Sequence, residues 1–232
     1  MKKHSKKYVE AFEKIEKNNS YNLEDAINLV KDTAITKFDS TIEVAIKLNI
    51  DSKKADQQLR GSLLLPNGTG KVKRVLAICK GDAAKEATEA GAEFVGDVDM
   101  IKKIETENWF DYDTIVATPD MMPLLGKIGK ILGPKGLMPN PKTGTVTPNV
   151  GKAISDIKKG MVEYKNDQYG NIHTVIGKAS FDAKKLSENL QYVVSTLAKN
   201  KPASVKGTFI QNISISSTMG PGIKVDKNSF DI

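Results

Sequence analysis

The sequence predicts an α/β protein in two parts: an antiparallel sheet with helices assembled from both ends of the chain, interrupted by a small α/β domain. Three observations carry this. Residues 41–50 alternate apolar and polar, residues 72–118 alternate strand-like with helix-like stretches, and the antiparallel style returns from Met161 onward.

Taken in order, residues 4–17 place Tyr8, Phe12 and Ile15 at helical spacing, and Asn22 with Asp25 reads as a capping arrangement that opens a helix through Leu23, Ala26, Ile27 and Val30. Thr41 to Ile50 then puts Ile42, Val44, Ile46, Leu48 and Ile50 on one face and Thr41, Glu43, Ala45, Lys47 and Asn49 on the other. That is a half-buried antiparallel strand, and its polar face is open to a ligand. Pro66-Asn67-Gly68-Thr69-Gly70 breaks the pattern. Beyond it come a strand over 72–79, a helix over 82–90, a short strand over 92–95, a helix over 98–107 and a strand over 112–118. Such alternation points to βαβ units around a parallel sheet. Strands over 161–165 and 171–177 follow, with Asp167-Gln168-Tyr169-Gly170 as a turn between them. Residues 182–198 form an amphipathic helix on Leu186, Leu190, Val193, Val194 and Leu197, and 207–218 form a long strand. The first and last thirds match in style. The predicted domains are therefore 1–66 with 161–232, and an insertion of 67–160, joined by crossings that carry Gly68, Gly70 and Gly160 and make a plausible hinge.

Composition narrows the class. With 39% apolar and 27% charged residues in 232, the chain can build packed cores and is expected to be globular. A net charge of +7 favours an acidic partner without naming it. The distribution says more. Residues 67–120 hold 7 basic and 11 acidic groups, whereas 121–159 hold 7 and 1. Within the latter, Lys127, Lys130, Lys135, Lys142 and Lys152 stand among six glycines and five prolines. This segment reads either as a surface that attracts phosphate or as a mobile, solvated basic loop. Cys79 is the only cysteine, which points to a reducing compartment; no apolar region follows the Lys-rich start, and no stretch has the length of a membrane span. The expected location is the cytoplasm, with no membrane partner.

Catalytic signatures are missing where they would be needed. Gly68-Thr69-Gly70-Lys71 resembles a P-loop, but Leu65 stands in place of its first glycine and Val72 in place of the Ser or Thr for magnesium. His4 and His173 are the only histidines, and Cys79 lies in an apolar strand, so neither a zinc site nor a Cys-His pair is expected. The acid pairs Asp97 with Asp99 and Asp111 with Asp113 read as caps. No enzyme activity, metal or cofactor is expected. Two places look poised for a ligand instead. In Lys37-Phe38-Asp39-Ser40-Thr41 a cation and a ring flank the strand entry, unless Phe38 is a core residue. In Ser216-Ser217-Thr218-Met219-Gly220-Pro221-Gly222 the polar strand face of Asn212, Ser214, Ser216 and Thr218 runs into a glycine turn, unless this is an ordinary hairpin connection. Short hydroxyls and a flexible thioether at a rigid strand end suit the 2′-hydroxyls and phosphates of RNA.

These residues also carry a resemblance. Lys37-Phe38-Asp39, Asp56-Gln57 with Arg60-Gly61, Leu65 to Gly70, Val116 to Asp120, Gly126 to Thr145, Gly177 to Phe181, Lys206 to Phe209 and Thr218 to Pro221 follow, in order over nearly the whole chain, the pattern of the universal ribosomal L1 family of the large subunit. The resemblance implies a discontinuous first domain that binds 23S rRNA and a Rossmann-like three-layer α/β second domain on a flexible double hinge. Carried onto this sequence, the rRNA contact uses Lys37, Phe38, Thr41, Glu43, Ser216, Thr218, Met219 and Gly220, with Lys165 in addition. Glu43 would accept from a 2′-hydroxyl or hold Lys47. The Gly126–Lys142 stretch becomes a secondary RNA surface through Lys127, Lys130, Lys135 and Lys142. Further implied are a place in the mobile stalk of the ribosome, help to deacylated tRNA leaving the exit site, and repression of the chain's own operon through its mRNA. Outside the ribosome the chain is expected to be a monomer.

Overall fold

The computed structural model describes residues 5–16 and 19–230. In chain order the elements are α1 (Lys6–Glu13), α2 (Leu23–Asp32), β1 (Thr41–Leu48), β2 (Arg60–Leu64), β3 (Val75–Ile78), α3 (Asp82–Glu89), β4 (Phe94–Gly96), α4 (Val98–Glu107), β5 (Thr114–Ala117), α5 (Met122–Lys127), α6 (Gly129–Leu132), α7 (Val150–Lys159), β6 (Met161–Lys165), β7 (Asn171–Lys178), α8 (Ala183–Lys199), β8 (Ile210–Ser217) and β9 (Gly222–Val225). Contacts divide them into two compact units. One holds the residues up to Gly70 together with those from Val162 on, and the other is Lys71–Met161.

The first unit is built on a sheet of order β7-β1-β8-β9, antiparallel at every pairing. One face of it is apolar because the period-2 pattern of β1 puts Ile42, Val44, Ile46 and Leu48 there, all fully buried. Against that face pack α2 and α8, and Leu186, Leu190, Val193, Val194 and Leu197 of α8 are completely inaccessible. At about 1.5–3 kcal/mol for each fully buried large apolar side chain, this stripe is what holds α8 in place. Helix α1 is shorter than the sequence suggests: it stops at Glu13, and Phe12 and Val9 stay partly exposed. The outer ends of the 4–17 reading, together with His4, lie outside the described residues. Asn22 does occupy the N-cap of α2, but its side chain makes no capping hydrogen bond.

Strands β6 and β7, read as neighbours across a turn, go to different sheets. β6 pairs with β2 in a separate two-stranded sheet, while β7 pairs with β1. The turn between them is locked by Asp167, whose carboxylate accepts from the amides of Tyr169 (2.8 Å) and Asn171 (2.7 Å) and from the Asn171 side chain (2.8 Å). Burial pushes the Asp167 carboxyl up, but these donors outweigh it and bring it down to about 2.

The breaker at 66–70 is not slack. Asn189, fully buried on α8, accepts from the Asn67 amide (3.1 Å) and donates to the Gly68 carbonyl (3.0 Å). Gly68, Gly70 and Gly160 all have positive φ, at 66°, 72° and 109°. At Gly70 a side chain would be crowded as well, since a Cβ would lie 2.9 Å from both Lys178 Cγ and Phe181 Cε1.

The second unit is a three-layer α/β arrangement around a parallel sheet of order β4-β3-β5. Alternate residues of β3 feed two cores, Leu76 and Ile78 on one side, Val75, Ala77 and Cys79 on the other. Burial, with Asp97 and Glu86 adding to it, pushes the Cys79 thiol up, so this residue is an inert part of the core. The basic segment that reads as a loop is partly helical: α5, α6 and α7 lie within 122–159, and Leu125, Ile128, Leu132, Ile154 and Ile157 are buried. Tertiary burial overrides the glycines there. Two of the acids read as caps do other work. Asp111 accepts from the Trp109 indole (2.8 Å), and Asp113 accepts from the Arg74 amide (3.0 Å) and Lys71 Nζ (3.0 Å).

Candidate nucleic-acid interface

Among the described residues the outer face of the four-stranded sheet carries no helix pairing comparable to that of α2 and α8 on the inner face, and its register arranges polar side chains in rows. Lys47 lies between Asn171 and Asn212; Ala45 lies between His173 and Ser214, with Lys224 beyond; Glu43 lies between Val175 and Ser216, with Gly222 beyond. At the end of the sheet Thr41 lies between Lys178 and Thr218. This last row closes the two strand ends. The Thr218 amide donates to the Thr41 carbonyl (2.9 Å), the Thr41 amide donates to Thr218 Oγ1 (3.1 Å), and Thr218 Oγ1 donates to the Thr41 carbonyl (3.2 Å). Lys178 is there because of a bulge. Between Ile42 and Glu43 the register shifts by one, which brings Lys178 rather than Gly177 opposite Thr41.

On either side of the Thr41–Thr218 pair along the chain stand two large exposed apolar side chains. Phe38 is 62% exposed and Met219 is 74% exposed. Phe38 is therefore not a core residue. Its loop is pinned: Asp39 accepts from the amide (3.0 Å) and hydroxyl (2.8 Å) of Ser180, the Ala179 amide donates to the Ser40 carbonyl (2.8 Å), and Thr36 Oγ1 donates to the Phe38 carbonyl (3.0 Å). Met219 sits at φ 65°, a conformation that a non-glycine residue adopts at a cost of order 1–3 kcal/mol. Gly220 beside it is fixed by space, because a Cβ would run into Ser217 Oγ and come within 3.3 Å of the Ser217 and Thr33 carbonyls. Fixed backbone with exposed apolar tips describes a surface prepared for a partner.

The structure thus brings Lys37, Phe38, Thr41, Glu43, Ser216, Thr218, Met219 and Gly220 to one end of the four-stranded sheet. Lys165 is elsewhere. It lies on β6, beside a polar cleft lined by Lys53, Gln58, Asn166 and Tyr169, at the end of the sheet where β1 finishes, roughly 20 Å away by strand rise. Glu43 does not hold Lys47, whose ammonium donates to the Tyr169 carbonyl; the Glu43 carboxylate has no partner among the described residues. Lys127, Lys130, Lys135 and Lys142 of the second unit are all exposed, and Lys135 places its ammonium 3.8 Å from the centre of the Phe110 ring. Sequence reasoning missed Lys178 and the 75%-exposed Tyr169. Lys178 stands in one of the family-like stretches, which was the available signal.

Among the described residues no three of His, Cys, Asp and Glu stand together so as to hold a metal ion, and no helix is long and apolar enough to cross a membrane. Known proteins match as follows. The sequence model described as the ribosomal protein L1p/L10e family matches residues 30–221. A relative described as large ribosomal subunit protein uL1, from Mycoplasma capricolum subsp. capricolum, is 59% identical over 226 residues, covering 97% of this chain and 100% of its own length.

Proposed function

The chain belongs to the ribosomal protein L1p/L10e family, and from that premise we propose that it is a non-enzymatic constituent of the large ribosomal subunit that binds 23S rRNA through the Phe38–Thr41 and Ser216–Gly220 end of its antiparallel sheet. The observation that carries this is the pairing of Thr41 with Thr218 on rigid strand ends, flanked by an outward Phe38 and a strained, outward Met219. Short hydroxyls suit ribose and phosphate at close approach, and the two apolar tips suit the exposed faces of splayed bases. The chain works in the cytoplasm as part of the ribosome.

Three finer roles go with this reading. The first domain, 1–66 with 161–232, makes the main rRNA contact, and the inserted domain swings on a hinge near Gly68, Gly70 and Gly160 as part of the mobile stalk. Lys127, Lys130, Lys135 and Lys142 offer a secondary surface to further rRNA or to deacylated tRNA leaving the exit site. The same primary site binds the chain's own mRNA and represses its translation. These rest on the family resemblance and on the placement of the lysines. A nuclease-protection footprint on 23S rRNA tests the central claim: a compact footprint that vanishes in Thr218→Ala and Met219→Ala supports it, and a footprint that both variants retain overturns it. Competition between that rRNA fragment and the leader of the chain's own message tests the last role, since one shared site requires mutual exclusion.

A further inference from the structure

The polar atoms of the Thr41–Thr218 pair have their directions fixed by partners that cannot reverse. A hydroxyl has one proton and two lone pairs. Thr218 Oγ1 accepts from the Thr41 amide (3.1 Å) and gives its proton to the Thr41 carbonyl (3.2 Å). Toward a ligand it is left with a lone pair and is an acceptor only. Thr41 Oγ1 accepts from Lys178 Nζ at 2.9 Å, and an ammonium only donates. Its own proton finds no acceptor among the described residues, so Thr41 can donate to a ligand, and one lone pair is left beside that proton. A phosphate oxygen, which only accepts, can meet Thr41 but not the lone pair of Thr218. The two together match a group that donates and accepts at one atom, and the ribose 2′-hydroxyl is such a group.

Lys178 is what sets this polarity, and it is held for the purpose. The bulge in β7 brings it opposite Thr41, its stem lies against the bare Cα of Gly70, and its ammonium reaches the Asp39 carbonyl as well (3.5 Å). We propose that Lys178 is a positioning residue that fixes the Thr41–Thr218 donor–acceptor pair, and that this pair takes a ribose 2′-hydroxyl and so selects RNA over DNA. The proposal rests on the rRNA-binding reading above, and its test separates the two.

The full-length chain, Phe38→Ala and Lys178→Met are titrated against the shortest synthetic rRNA hairpin that retains the footprint, and against copies carrying a single 2′-deoxy ribose at each position in turn. One ribose should emerge whose 2′-deoxy form weakens the unaltered chain by roughly three- to tenfold, the size of one net hydrogen bond. Lys178→Met should weaken the all-ribose hairpin by a similar factor and lose the penalty at that ribose, with the salt dependence of binding unchanged. Unaltered affinity in Lys178→Met, or weakened affinity with the penalty intact, overturns the proposal. So does a salt slope lower by about 0.7–0.9, which marks a direct phosphate contact. Unaltered affinity in Phe38→Ala counts instead against the rRNA-binding reading itself. Should Lys178→Met fail to fold, Thr41→Val removes the same hydroxyl from a strand that favours β-branched residues, and the same loss of penalty is required of it.

Discussion

Met219 separates two effects that usually coincide at a binding residue. Its side chain is exposed and its backbone lies at φ 65°, so it loses little packing on substitution while holding conformational strain. Met219→Gly should therefore leave stability within about 1 kcal/mol, because relief of the left-handed strain offsets the greater freedom of glycine in the unfolded chain. RNA affinity should fall by about 1–3 kcal/mol, as expected for one well-placed nucleic-acid contact. Urea unfolding beside a binding titration checks both, and a stability loss as large as the affinity loss would show the residue to be structural. Gly220→Ala is the converse case. With Ser217 Oγ and two carbonyls against the added methyl, the turn must shift, and both stability and binding should drop. At this scale the sequence was informative about chemistry and silent about geometry. Thr41 and Glu43 were readable as one face because strand side chains alternate, whereas Lys178 was not, since only a register shift in a partner strand 137 residues away brings it to Thr41.

Among the elements, those with strong period were legible and those stabilised from outside were not. The five apolar positions of α8 announced that helix because, with Asn189, they form its buried stripe. Helices α5 and α6 escaped because Gly126, Gly129 and Pro123 are local breakers, and only packing on the core around Leu76 and Ile115 makes them helical. The β6–β7 connection shows a similar limit: a turn is written into the residues, but which sheet each strand joins is not. The Asp167 turn gives a pH test of its role. Its folded carboxyl is depressed to about 2 from an ordinary value near 4, so its stabilisation is complete above about pH 4 and fades as pH falls toward 2. Asp167→Asn should lower stability at neutral pH and converge with the unaltered chain near pH 2. Denaturant unfolding across that range checks it, and parallel curves would remove Asp167 from the acid limb.

For the whole molecule, the division of labour between the units becomes a question about salt. The core of the first unit draws on both ends of the chain, from Leu23 to Leu65 and from Tyr164 to Phe230, with no residue from Lys71–Met161 among its buried members. Such a core is sufficient for independent folding. Residues 1–70 joined by a short glycine linker to 162–232 should unfold cooperatively and bind the rRNA hairpin at moderate salt nearly as well as the full chain. They should also show a smaller salt slope on full 23S rRNA, because Lys127, Lys130 and Lys142 are exposed cations that the shortened chain lacks. Every cation–phosphate pairing removed in this way lowers the slope by about 0.7–0.9, so the difference counts how many cations of the removed unit reach RNA, and single Lys→Ala changes in the full chain assign them. Lys135→Ala alone should do less than Lys130→Ala, since an ammonium seated on the Phe110 ring is already partly engaged. A shortened chain that folds yet fails to bind the hairpin would move recognition into the inserted unit, and the Phe38 and Met219 tips would then need a different partner.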